Sequence, residues 1–227
     1  MIGQLAANYP GSVWDQIPKG TFNFGGGGVN AWRSICGGPN GGSALLAQLG
    51  APANVKDEYN AWYEKTAIPS EAAYLDYKSG TWAPQGASGA LTWVDSGGAG
   101  ATILAPLPKT PKAVPASLLC HASHGKWLTA AGGATGYWVK KVGTVQGVTG
   151  AAAVAAAGSD RCAKLVYDCV FKLASLINDW KAGVTIPGTL DPQTVGCMST
   201  SCHGSTTGIE GTPFLSGGKS KCSPCHE

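Results

Sequence analysis

The apolar positions of the chain repeat with helical rather than alternating spacing. From Ser43 the run SALLAQLG reads as a helix ending on Gly50, and residues 53–66 continue with Val55, Tyr59, Trp62 and Tyr63 at i, i+4, i+7 and i+8. Ser70, ahead of EAAYLDYK, is placed to cap a short third helix that stops at Gly80. Pro84, Pro106, Pro108 and Pro111 exclude regular helix from residues 81–114. Pro115 and Ser117 then open a helix carrying Leu118, Leu119, Cys120, His121, His124, Trp127 and Leu128. After a Gly-interrupted, Ala-rich stretch, Ser159 and Asp160 are expected to cap the strongest helix, residues 161–182, stopped by Gly183. Its stripe is Leu165, Val166, Cys169, Val170, Leu173, Ile177 and Trp180. The pattern predicts a mainly α fold: a helical core over residues 1–182 with Gly/Pro-rich loops, and an irregular segment over 183–227.

That last segment has few large apolar side chains and many Gly, Ser, Thr and Pro, so it cannot build a core of its own. Something other than protein is expected to order it. Residues 1–42 are also glycine-rich, with FGGGGVN at 24–30 and GGPNGG at 37–42; the former lacks the frame of a dinucleotide fingerprint and the Lys of a P-loop, and reads as plain loop.

Composition narrows the partners. The 227 residues include Gly 34 and Pro 14, and charged residues are 13%, about half the ordinary share. The net charge of +3 comes from scattered residues with no basic run, which argues against nucleic acid. The most apolar stretch, residues 145–158, is shorter than the roughly 20 residues a membrane span needs. The first residues, MIGQLAANYPG, lack the basic and apolar regions of a secretory signal.

The cysteines carry the chemistry. CSPCH at 222–226 is a C-x-x-C-H haem c attachment sequence, in which Cys222 and Cys225 add to the two vinyl groups and His226 ligates the iron. CMSTSCH at 197–203 keeps the terminal Cys-His with four residues between Cys197 and Cys202, a spacing that resembles a variant of multihaem cytochromes, and makes His203 the second proximal ligand. Two haem c per chain supply the apolar mass the segment lacks. The other two of the four His, His121 and His124, are then the distal ligands, and bis-His ligation implies a low potential. Their i, i+3 spacing puts them on one helix face about 5–6 Å apart at Cβ, so serving two irons requires crowded haems or a His reaching into a partner subunit.

Cys36, Cys120, Cys162 and Cys169 remain. Cys162 and Cys169 lie about 10.5 Å apart along one helix and cannot bridge each other, since bridged Cα atoms lie within about 7 Å. Three readings stay open: a four-thiolate iron–sulfur cluster, structural disulfides using Cys36 or Cys120, and inert buried thiols. With the histidines on iron, no Ser-His-Asp or Cys-His pair is free, and no catalytic residue is expected. The eight Trp are read mostly as core, with Trp127 placed to pack on a porphyrin edge.

Taken together, WRSICGGPNGGSALLAQLG, LLCHASHGKWL, DRCAKLVYDC and the paired C-terminal haem sites resemble split-Soret cytochrome c, from about Trp32 to Glu227. The resemblance implies a homodimer with all haems clustered at one end, bis-His ligation with a distal His donated across the interface, and an iron–sulfur site at the scattered cysteines. GGPNGG follows Cys36 where the wider set of related redox proteins has a second nearby cysteine. The implied function is electron transfer with an unidentified redox protein partner, rather than catalysis. Haem c attachment implies a periplasmic address, with the export signal outside this numbering. The alternatives are a multihaem oxidoreductase with an open iron and, without haem, a disulfide-stapled secreted binding module.

Overall fold

A computed structural model describes residues 8–17, 24–70, 110–190 and 192. Among these, after a short 3-10 turn at Val13–Gln16, five helices follow: α1 (Gly37–Gln48), α2 (Ala53–Lys65), α3 (Cys120–Ala130), α4 (Tyr137–Gln146) and α5 (Gly150–Lys181). Among the described residues, isolated antiparallel bridges pair Ile35 with Leu119 and Ile68 with Ala113. The expected mainly α fold is observed. The short helix expected after Ser70 and, within the expected haem-attachment segment 183–227, every residue from 193 onward lie outside the described residues.

Three boundaries differ from the sequence pattern. Helix α1 begins at Gly37 and runs through GGPNGG, with Cys36 as its N-cap residue. Close packing explains Gly42 and Gly38: a Cβ at Gly42 would meet the Tyr59 ring, and one at Gly38 would lie 2.7 Å from the Cys169 Sγ. Helix α3 begins at Cys120 rather than Pro115, because residues 118–119 are held by the bridge to Ile35. Helix α5 starts at Gly150, so Ser159 and Asp160 lie inside it rather than capping it. Asp160 accepts a hydrogen bond from Lys164 one turn later at 2.9 Å, and both side chains are fully buried.

Two cores flank α5. Its C-terminal half gives Leu165, Cys169, Leu173 and Leu176 to a cluster with Leu45 and Leu46 of α1 and Val55, Tyr59 and Tyr63 of α2. Its N-terminal half gives Ala153 and Ala157 to a second cluster with Trp127, Trp138, Val139 and Val142. The expected stripe is therefore rotated: Val166 is 46% and Val170 39% exposed, and Leu176 takes a place in the core. Between the cores sit buried Asp160, Arg161 and Lys164. Lys164 also donates to Thr110 Oγ1 and lies over the Trp138 ring at 5.2 Å, so its charge is paired rather than stranded. Trp127 is fully buried and donates to the Pro111 carbonyl at 2.8 Å, which makes it core, whereas Trp32 is 83% exposed.

Adjacent glycines of α1 make opposite predictions. Nothing lies within 4 Å of a Cβ at Gly41, whereas one at Gly42 meets Tyr59. Gly41→Ala is expected to stabilise by about 0.5–1 kcal/mol through helix propensity, and Gly42→Ala to destabilise by about 1–3 kcal/mol through overpacking. Thermal unfolding followed by circular dichroism is the check.

Candidate functional site

The Ile35–Leu119 bridge builds the site. The Cys36 N–H donates to Leu118 O at 2.8 Å and the Cys120 N–H to Ser34 O at 2.5 Å. Side chains alternate across paired backbone, so Cys36 and Cys120 share the face opposite Ile35 and Leu119. Both are buried, Cys36 as the N-cap residue of α1 and Cys120 as the first residue of α3. Helix α5 brings Cys162 to the same place, and these three thiols line one cavity of about 560 Å³. The fourth, Cys169, lies behind Gly38, itself part of the cavity wall, and beside Tyr59. All four are free thiols. Among the described residues no three His, Cys, Asp or Glu side chains are drawn around one point tightly enough to hold a metal ion.

Much of the wall is glycine, at positions 25–28 and 37–38. A Cβ at Gly28 would lie 2.7 Å from the Cys120 Cβ, so the close approach requires glycine there. The chain then turns through Val29, Asn30, Ala31 and Arg33, all at positive φ. A left-handed conformation costs a non-glycine residue roughly 1–2 kcal/mol. Hydrogen bonds from Ala31 to Gly26, Arg33 to Gly27 and Ser34 to Gly28 hold the turn against that cost. The FGGGGVN segment, read as plain loop, is thus one wall of the site.

The thiols differ in acidity. Cys36 is held down at about 6, first by the neighbouring Cys120 thiol and then by the Tyr63 hydroxyl and the charge of Arg161, which together outweigh its burial. Cys120 is pushed up, chiefly by the same contact with Cys36, and Cys169 is pushed up by burial. Tyr59 and Tyr63 are raised by burial and stay neutral donors. Cys36 is therefore a thiolate beside the neutral thiol of Cys120. Behind it, the Arg161 guanidinium donates to Ser123 Oγ at 2.5 Å, and the Tyr63 hydroxyl donates to the same oxygen at 2.9 Å.

The two histidines occupy different settings on α3. His121 is exposed, and its Nδ1 lies 3.1 Å from the Arg33 carbonyl, whose oxygen also accepts the His121 backbone N–H. A proton on Nδ1 leaves the Nε2 lone pair free for a metal, the arrangement common at histidine ligands. His124 is half-buried against α5, where a Cβ at Gly158 would lie 2.7 Å from its Nε2. Burial, then the charges of Arg161 and Arg33, lower its pKa and favour the neutral, ligating form. Its ring stands 5.6 Å from that of Trp127.

The structure thus brings Cys36, Cys120 and Cys162 together, puts Cys169 next to them, and attaches His121 and His124 to the helix that Cys120 begins. Cys197, Cys202, His203, Cys222, Cys225 and His226 lie outside the described residues. Sequence reasoning missed Arg161, Ser123 and Tyr63. The signal for Arg161 was its place beside Cys162, one turn from Leu165 on the inward side of the helix. Tyr63 was read only as a stripe residue.

No protein-family model matches the chain. It is similar to the split-Soret cytochrome c of Desulfovibrio desulfuricans, 25% identical over 230 residues that cover 100% of this chain and 65% of the relative. The chain thus spans about 65% of the length of the curated relative it matches. A solved structure of the split-Soret cytochrome c from the same species, reported as containing a novel iron centre, aligns with a TM-score of 0.62 and 22% identity. It covers 100% of this chain and 76% of the other. The resemblance drawn from the sequence is borne out, and the fold is that of split-Soret cytochrome c. No helix among the described residues is long and apolar enough to cross a membrane.

The acidity of Cys36 has a measurable consequence. Folding lowers its pKa from 9.0 to about 6, so its thiolate contributes stability that is complete above pH 9 and is lost as pH falls through about 6. In protein stripped of any iron at the cysteines, urea-unfolding midpoints are expected to fall between pH 9 and pH 6. Cys36→Ser is expected to flatten that slope.

Proposed function

We propose that this chain is an electron-transfer protein, a diheme c-type cytochrome with a second iron site at its scattered cysteines. The haems are attached through Cys197, Cys202, Cys222 and Cys225, with His203 and His226 as proximal and His121 and His124 as distal ligands. Cys36, Cys120, Cys162 and Cys169 hold an iron–sulfur centre. The protein acts as a periplasmic homodimer, passing electrons to a redox protein partner. The observation that carries this reading is that Cys120 lies in the cysteine-lined cavity and also begins the helix that bears both histidines. The likeness to a protein named a cytochrome c, whose structure is reported with a novel iron centre, supports it.

The residues fit their roles. Three thiols line one cavity, Cys36 is a thiolate at neutral pH, and a buried cation stands behind them. His121 Nδ1 faces the Arg33 carbonyl, and burial favours the neutral ring of His124. Haem and iron, when bound, supply one-electron oxidation and reduction. The packed helices hold Cys36, Cys120, Cys162, His121 and His124 in fixed positions, so little rearranges there when charge changes, and no substrate pocket is required. Two haems held close together would couple their transition dipoles and divide the intense blue band.

Absorption spectra of natively matured protein, oxidised and then dithionite-reduced, test the reading. A divided Soret band with low-spin features is expected. A single band with a high-spin signal and ready carbon monoxide binding points instead to an oxidoreductase with an open iron. His121→Ala and His124→Ala are each expected to turn about half of the haem high-spin, with imidazole restoring it. A variant with an unchanged spectrum excludes that histidine as a ligand.

A further inference from the structure

Arg161 is 1% exposed, yet among the described residues no carboxylate forms an ion pair with it. Its neighbour Asp160 is engaged by Lys164. The guanidinium is anchored to Ser123, through Oγ at 2.5 Å and the carbonyl at 3.5 Å, and its Nη1 stands 3.9 Å from the Cys162 Sγ. Its Nε has no hydrogen-bond partner. A buried cation without a counter-ion is strongly disfavoured, because its attraction to water is lost and nothing replaces it. The groups around it that can carry negative charge are Cys162 next in sequence, Tyr63, which burial keeps neutral, and Cys36 across the Tyr63–Ser123 contact.

We propose that Arg161 is the fixed counter-cation of the cysteine-lined cavity, offsetting the negative charge of a thiolate-ligated iron centre and setting its reduction potential. The inference rests on the reading of that cavity as an iron site. Reduction by one electron makes the centre one unit more negative, and a permanent positive charge stabilises the reduced form more than the oxidised one. Arginine suits the position because it cannot lose its proton to the low-dielectric surroundings. Arg161 is a positioning and tuning residue here, with no ligand role.

The test is a redox titration of the non-haem iron signal by electron paramagnetic resonance, on natively matured protein at one pH. In Arg161→Gln, the reduced-to-oxidised ratio at the wild-type midpoint is expected to fall at least tenfold, a shift of 59 mV for a one-electron couple. Arg161→Lys, which keeps the charge, is expected to stay within threefold. A glutamine variant with the wild-type midpoint overturns the inference, and so does a lysine variant that shifts as far as the glutamine one. Should the glutamine variant fail to fold, Ser123→Ala removes the anchor and keeps the charge. A shift of threefold or more to the oxidised side is then expected, and an unchanged midpoint overturns the proposal. Wild-type protein with no non-haem iron signal in either redox state overturns the reading of the cavity and this inference with it, whereas a wild-type signal with unmoved variants overturns the inference alone.

Discussion

The arrangement depends on one short piece of backbone pairing. Residues 34–36 and 118–120 are far apart in sequence and meet through a single antiparallel bridge at Ile35 and Leu119. That bridge places two thiols on one face and starts two helices within a residue of those thiols. The glycines of the cavity wall follow from it, since a side chain at Gly28 would collide with Cys120. The position of His121 follows as well, because the same strand-like stretch offers it the Arg33 carbonyl.

Helix α5 is the second constraint. Over 32 residues it packs into both cores, and the stretch between them carries the polar contacts. Gly158 leaves room for His124, Arg161 stands behind the cysteines, Cys162 enters the cavity and Cys169 closes against Gly38. One rigid rod thus fixes the separation between the histidine and cysteine sites. Rigid placement with little reorganisation is what the proposed outer-sphere electron transfer asks of a protein.

Part of this was legible in the sequence. The helical periodicity of residues 53–66 gave α2 almost to the residue, because Val55, Tyr59 and Tyr63 face one core. The cysteine and histidine set was visible as residue types. The start of α1 was not, because GGPNGG reads as a turn unless the close approach of Tyr59 and Cys169 is known. Asp160 looked like a cap because local propensity cannot reveal a lysine one turn on that buries with it. The rotated stripe of α5 has a similar cause: a helix serving two cores shows no single face. The bridge itself left no periodic trace, being a single pair of residues.

The central claim is that the chain holds iron in two separate places, in haem near the histidines and in the cysteine-lined cavity. The most direct measurement is the ratio of total iron to haem in natively matured protein, from elemental analysis and the pyridine haemochrome of the same sample. The account predicts a ratio above one, with Cys36, Cys120, Cys162 and Cys169 resistant to alkylation until the iron is chelated. A ratio of one, with those four thiols alkylated directly on unfolding without a chelator, would contradict it.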